Sequence, residues 1–127
     1  MRKLLLAFAV TVGLAGCAIP LPQMGADFLC QHYGANAANK TDRVSSIRAE
    51  LNARKLISEK DWGFVDRQQL YVGMPTCAMF AIQGGPYSQN RTTTAAGTSI
   101  QHAFTNHRTL KREYVYTTNG LVTAWQN

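Results

Sequence analysis

The sequence predicts an α+β fold, in which helices come first and a run of antiparallel strands follows. Apolar residues recur at helical spacing within residues 42–55, and an apolar stretch at residues 75–83 lies between a proline and two glycines. After residue 86, Thr, Tyr, Val and polar residues alternate between turn signals, which is typical of strands. Helices and strands in separate parts of the chain are characteristic of this fold class.

The first residues are expected to be a lipoprotein signal peptide, residues 1–16. Arg2 and Lys3 form a basic start, and the apolar run that follows is shorter than the about 20 residues that span a bilayer. The tetrapeptide Leu-Ala-Gly-Cys at residues 14–17 resembles the bacterial lipobox, so Cys17 is predicted to carry covalent lipid at the mature N-terminus. The alternative is an ordinary signal peptide whose apolar region ends in cysteine.

This lipid would attach a small domain to the membrane. The 127-residue chain has room for one domain, residues 27–127, which a tether over residues 17–26 joins to the lipid. Several acyl chains on one cysteine give stable attachment. Ala18 is not the aspartate that retains many bacterial lipoproteins in the inner membrane. The expected location is therefore the periplasmic face of the outer membrane.

The net charge is mildly positive. Removal of the signal peptide lowers the Lys and Arg count from 13 to 11 against 7 Asp and Glu, so the net charge falls from +6 to +4. Basic residues beside a membrane favour contact with anionic lipid headgroups, by about 1 kcal/mol each. They form no dense cluster here, and the signal directs the chain out of the cytoplasm, so we expect no nucleic-acid partner.

Two cysteines remain after Cys17, and a disulfide between Cys30 and Cys77 is their simplest fate in an oxidising compartment. Closing a loop of about 48 residues contributes on the order of 4 kcal/mol in the chain-entropy model. The alternative is two separate buried thiols that pack as small apolar side chains.

The first half of the domain is predicted to be mainly helical. Residues 27–33 form a short helical or extended piece, and residues 34–39 form a loop. Apolar residues at i, i+3 and i+7 place one stripe of the helix at residues 42–55 against the core. Residues 58–61 resemble a helix-capping start. Bulky core residues follow this start, namely Trp62, Phe64 and Val65.

The centre of the chain combines a strand, a turn and a helix. Residues 69–72 are β-prone, and Gly73 turns the chain into the helix at residues 75–83. This helix is apolar on most sides and is therefore expected to be buried. Gly84 and Pro86 end it.

Four strands are predicted after this helix, at residues 91–94, 99–104, 112–118 and 121–125. Asn119-Gly120 joins the last two, and this dipeptide is a strong hairpin signal because a type I′ turn needs positive φ at both central positions. Such a turn places Tyr116 opposite Thr123. One face of the hairpin then carries Tyr114, Tyr116, Leu121 and Trp125. The other face carries Val115, Val122 and Ala124. Helices can cover only one face, and bulk favours the aromatic one as buried, with the second as the alternative.

Two motifs resemble the BamE/SmpA (OmlA) family of small outer-membrane lipoproteins. The first consists of Gly73-Met74, a short helix and the stop at Gly84 and Pro86. The second consists of Tyr114 and Tyr116 in a strand, the Asn119-Gly120 turn and a last strand that contains Trp125. Together they cover about half of the mature chain.

The resemblance implies both a fold and a role. The fold has two short helices packed on one face of a three- to four-stranded antiparallel sheet. The role is that of a non-catalytic accessory factor in outer-membrane β-barrel assembly and envelope integrity, which binds other assembly subunits and anionic lipid headgroups. The covalent lipid on Cys17 is the one non-protein group that the resemblance implies.

The residues themselves do not predict an enzyme. Histidines at positions 32, 102 and 107 lack metal-ligand spacing on a helix, so we expect no metal site. Ser45 and Ser46 have no nucleophile elbow around them. We therefore expect no catalytic residues and no bound cofactor. A second interpretation is a stand-alone periplasmic lipoprotein that binds or inhibits a different partner, because fold does not determine function.

Overall fold

The structure is a computed structural model that describes residues 19–106 and 108–127. The predicted signal peptide, Cys17 and His107 lie outside the described residues. No helix in the described part is long and apolar enough to cross a bilayer.

Four α-helices form one layer of the described fold. After a 3-10 turn at Leu21–Gln23 they are α1 (Ala26–Ala38), α2 (Val44–Ala53), α3 (Glu59–Asp66) and α4 (Thr76–Gln83). α4 contacts α1, α3 and the sheet, and it buries a run of four residues, Ala78 to Ala81. A helix that is apolar on most sides has to be covered in this way.

Four antiparallel strands form the second layer and follow each other as a meander. They are β1 (Ser88–Thr94), β2 (Gly97–Thr105), β3 (Arg112–Thr118) and β4 (Leu121–Gln126), in the spatial order β1-β2-β3-β4. Phe80 of α4 packs edge-on against Phe104 of β2, with ring centroids 6.4 Å apart. The α+β class with an antiparallel sheet is therefore confirmed, and its helical layer in the described residues has four helices instead of the two that the resemblance implies.

The buried face of the last hairpin is the one with the smaller side chains. Val115 and Val122 are each 1% exposed and Thr117 is 2% exposed, whereas Trp125 is 40% exposed. The expectation that the aromatic face is buried is wrong. The helices already supply bulky residues such as Phe80, Met79 and Leu29, and β-branched side chains fill the shallow space left above the sheet.

The predicted hairpin register holds at the turn and fails beyond it. Thr118 pairs with Leu121 as expected, but a bulge follows, so that Tyr116 lies opposite Ala124. A β-bulge adds one residue to one strand and shifts every later side chain relative to the partner. As a result, Trp125 shares the face of Val115 instead of that of Tyr114.

Two other local expectations are also wrong. Residues 34–39 do not form a loop, because α1 continues to Ala38. The small residues in this part of α1 show no apolar periodicity, but they allow the helix to approach α4 closely. Residues 69–72 do not form a strand; the chain pairs with β4 only through an isolated bridge between Pro75 and Leu121.

Candidate functional site

The predicted Cys30–Cys77 disulfide is present and joins α1 to α4. The two Cα atoms lie 5.3 Å apart, and Cys30 is fully buried. One helical turn further along α1, Gly34 packs against the end of α4, where an added Cβ would lie 2.8 Å from the Cα of Gly84. Gly84 has a φ of +78°, which other residues rarely adopt. Both contacts hold α4 against α1.

The segment at Gly73 and Met74 runs beside β4. The N–H of Gly73 donates to the carbonyl of Val122 over 2.7 Å, and the N–H of Val122 donates to the carbonyl of Met74 over 2.8 Å. Gly73 has a φ of +96°, and Met74 is fully buried. Pro86 lies half-buried between α4 and β1. The predicted motif residues therefore act as backbone connections between the layers.

The Asn119-Gly120 turn has the predicted backbone, with φ of +50° and +80°. The Asn119 side chain accepts a hydrogen bond from the N–H of Thr98 over 3.0 Å. The hydroxyl of Thr76, in the first turn of α4, donates to the carbonyl of Gly120 over 2.9 Å. This turn thus connects β2, β4 and the start of α4.

The sheet face that points away from the helices carries Tyr114 and Tyr116. We call it the outer sheet face, and its residues follow from the strand register: Thr105, Arg112, Ser88, Ala103, Tyr114, Gln126, Asn90, Gln101, Tyr116, Ala124, Thr92, Ser99, Thr118, Leu121, Thr94 and Gly97. Arg112, at one end of β3, is the one charged residue among these sixteen described positions. No helix of the described chain covers this face, and most of its side chains are half-buried or exposed.

A row of hydrogen bonds crosses the outer sheet face from one edge strand to the other. The amide of Asn90 donates to Gln101 Oε1 over 3.1 Å, and the amide of Gln101 donates to the Tyr116 hydroxyl over 3.0 Å. The Tyr116 hydroxyl donates in turn to Gln126 Oε1 over 3.3 Å. Because the phenol is bonded on both sides, its ring is held in one orientation on the face.

The titratable residues considered for catalysis do not converge on one site in the described chain. His102 is 1% exposed in the core. The amide of Gln89 donates to its Nδ1 over 2.8 Å, so the Nε2–H donates to the Thr117 hydroxyl over 2.9 Å. Burial is the main cause that lowers the pKa of His102, and Arg91 adds to it while Asp27 opposes it.

Asp61 and Asp66 each have a structural partner. The Tyr71 hydroxyl donates to the buried carboxylate of Asp61 over 2.5 Å, and this bond raises the pKa of Tyr71 to about 12, with burial as a second cause. Arg48 forms two hydrogen bonds with Asp66, at 2.7 and 3.0 Å, and the bond lowers the pKa of that carboxyl. Arg48 also lies 4.0 Å from the ring centre of Trp62.

His32 is partly buried in α1, beside Asn36. Burial and the nearby Arg43 lower the pKa of His32, and its Nε2 has no hydrogen-bond partner in the described residues. Across the described chain, no three His, Cys, Asp or Glu side chains are close enough to form a metal site.

A groove opens where three helices end. The C-terminal ends of α1, α3 and α4 meet the start of the β2–β3 loop and the end of β4 around a volume of about 900 Å³. We call it the helix-end groove. Its basic residues are Lys40, Arg67 and Arg108, its acidic residues are Asp66 and Glu113, and exposed Trp125 lies on its sheet side. Sequence reasoning missed it, because its residues come from six separate segments with no shared motif.

The tether is held against the helical layer by Arg54, at the end of α2. Its guanidinium donates to the carbonyls of Leu21 and Met24, each over 2.7 Å, and to Glu50 Oε1 over 2.9 Å. Met24 itself is buried in the core. The segment that leads toward Cys17 is therefore part of the packed domain from residue 21 onward.

Comparison of the chain with models of known protein families, with curated proteins and with solved structures finds no match.

Proposed function

We propose that the protein is a non-catalytic lipoprotein of the outer membrane that acts as an accessory factor in β-barrel assembly. The observation that carries this proposal is the contact between the two motifs of the resemblance. Gly73 and Met74 exchange backbone hydrogen bonds with Val122, and Thr76 bonds to Gly120. Residues that are 44 to 49 positions apart in the chain thus form one contiguous unit.

The envelope location is supported by the disulfide. Disulfides persist in oxidising compartments and are rare in the cytosol, so the Cys30–Cys77 bond agrees with the lipobox at residues 14–17. Arg54 fixes Leu21 to the domain, and Cys17 lies four residues before Leu21, a separation over which an extended chain spans at most about 14 Å. A lipid on Cys17 would hold α2 and the start of α1 close to the membrane.

A binding role is supported by the kind of surfaces that the described residues expose. The helix-end groove lies at the end of α1 that is opposite the tether, about 20 Å along the helix. Trp125, Arg67 and Arg108 of this groove are residue types enriched at protein-binding surfaces, and the carboxylates of Asp66 and Glu113 lie in the same groove. We place the contact with barrel-assembly subunits there, and the contact with anionic lipid headgroups at the anchored end.

A stand-alone binding or inhibitor module is the second candidate, and one observation favours it. α2 and α3 extend the helical layer beyond the two helices of the family frame. Added helices change the surface that a partner meets while they leave the sheet and its motifs unchanged.

Crosslinking in intact cells tests the proposal. The full chain, tagged at its C-terminus, is crosslinked, purified from the membrane fraction and analysed by mass spectrometry, with the Cys17→Ser chain as the matched unanchored control. We expect barrel-assembly subunits with the anchored chain, and their loss when Arg67 and Arg108 are both changed to Glu. Recovery of a different partner alone would favour the second candidate and overturn the first.

A further inference from the structure

The outer sheet face combines three properties that point to a ligand. It is open to solvent, its sixteen described positions include a single charged residue, Arg112 at one end of β3, and a fixed Tyr ring lies near its centre. The whole chain is 16% charged, with a net charge of +6. The solvent-exposed face of an antiparallel sheet normally carries polar and charged side chains. A face of this size with a single charge, at one end, needs a reason.

We propose that the outer sheet face binds a neutral glycan strand. The inference rests on the proposed envelope location, where such strands are available to the protein.

The chemistry of the side chains matches sugar hydroxyls. Amide and hydroxyl groups both donate and accept hydrogen bonds, as sugar hydroxyls do. Asn90, Gln101 and Gln126 supply the amides, while Thr92 and Ser99 supply hydroxyls in the neighbouring row. Their mutual hydrogen bonds use only part of this capacity, since each amide has two N–H groups and two lone pairs on its oxygen.

The Tyr116 ring supplies the apolar contact. A sugar ring has one face of C–H groups, which packs against the negative face of an aromatic ring. Hydrogen bonds from Gln101 and to Gln126 fix the phenol at both neighbouring strands, so the ring does not have to be ordered when a ligand binds. Leu121, at 46% exposure, adds an apolar contact in the next row for an acetyl methyl group.

The near absence of charge argues against the other occupants. Anionic lipid or an acidic peptide would be drawn to basic residues, and the sixteen described positions of this face include one, Arg112 at one end of β3. An apolar protein partner would leave the amide row buried with unsatisfied groups, at a cost for each of them. A neutral, hydroxyl-rich strand avoids both penalties.

The test uses the purified full chain in a detergent without a sugar headgroup, isotopically labelled for NMR. The probe is the soluble tetramer of N-acetylglucosamine. We expect shifts confined to residues of the outer sheet face, in β1, β2 and β3 and at Leu121 and Gln126 of β4. Tyr116→Ala and Gln101→Ala should each weaken binding tenfold or more, whereas Trp125→Ala, an exposed aromatic on the opposite face of β4, should leave it unchanged.

Three results would overturn the inference. One is the absence of any shift at saturating tetramer. Another is equal weakening by Trp125→Ala and Tyr116→Ala. The third is a response of the same amides to vesicles that contain an anionic lipid but not to the tetramer, which would make this face a membrane contact. Because Gln101→Ala changes a half-buried polar side chain on the solvent side of the sheet, we expect the folded state to be retained even if Tyr116→Ala unfolds the sheet.

Failure of this inference can be separated from failure of the proposed function. If the tetramer does not bind but crosslinking recovers barrel-assembly subunits, only the glycan site is disproved. Tetramer binding by a chain that recovers no such subunits would remove the assembly role and keep the site.

Discussion

Cys30 of α1 is bonded to Cys77 of α4, with their Cα atoms 5.3 Å apart and a sequence separation of 47. The bond crosses the interface that Gly34 and Gly84 also form. It therefore joins the helix nearest the tether to the helix that carries the sheet.

Removal of this disulfide is expected to lower the free energy of unfolding by about 2–4 kcal/mol, because the unfolded chain gains the freedom of a large loop. The measurement is urea unfolding of the full chain and of the Cys30→Ala/Cys77→Ala variant. Reductant should lower the midpoint of the full chain to that of the variant and leave the variant itself unaffected. Equal stability of the two oxidised proteins would contradict this role.

The hydrogen bond from Tyr71 to Asp61 predicts a late titration. Phenolate absorbance should show one tyrosine with a pKa of about 12, and Asp61→Asn should return it toward the ordinary value near 10. Tyr71→Phe identifies the signal by removing it. A raised pKa means that the folded protein holds the proton more tightly, so the stability it contributes is complete below pH about 10 and is lost as the pH rises toward 12.

His102 predicts a loss of stability on acidification. Its pKa is lowered in the folded state by burial, so below pH about 6.5 the unfolded chain binds a proton that the native core does not accept. Each unit by which folding lowers the pKa of His102 adds about 1.4 kcal/mol to this loss of stability. We expect the drop in thermal midpoint between pH 7 and pH 5 to shrink in His102→Gln, measured in a His32→Gln background because His32 titrates in the same direction. An unchanged pH dependence would argue against a neutral, buried His102.

The contacts of Arg54 predict that the tether can be released from the helical layer without unfolding the domain. Arg54→Ala removes charge-assisted hydrogen bonds to Leu21 and Met24, each of which contributes about 1.5–3 kcal/mol to local stability. Limited proteolysis should then cut near residues 21–25 several-fold faster. Arg54→Lys serves as the second variant, because a lysine cannot reach both carbonyls with a planar fork. If Arg54→Lys resists proteolysis as well as the wild type, a positive charge alone holds the tether, and the paired hydrogen bonds of the guanidinium are not required.

Strong local signals in the sequence were sufficient for the sheet and the disulfide. Asn119-Gly120 fixes a two-residue turn by backbone geometry alone, and it is present as predicted. The cysteine count left one simple pairing, Cys30 with Cys77, and that bond is formed.

The errors arose where packing overrides local pattern. The second half of α1 is built from Gly, Ala and Asn, which indicate a loop by composition, but Gly34 allows the helix backbone to touch Gly84. The bulge between Tyr116 and Thr117 cannot be predicted from the alternation of residues along the strands, yet it moves Trp125 to the other face of the sheet. The helix-end groove and the hydrogen-bonded row on the outer sheet face depend on contacts between distant segments, which periodicity does not reveal.

We propose that this chain is a lipid-anchored protein of the bacterial envelope, and metabolic labelling with palmitate tests this proposal most directly. Cells that express the full chain or the Cys17→Ser variant are labelled, and the protein is isolated through a C-terminal tag. We predict label on the full chain in the outer-membrane fraction and none on the variant. Equal labelling of both proteins, or of neither, would contradict the claim.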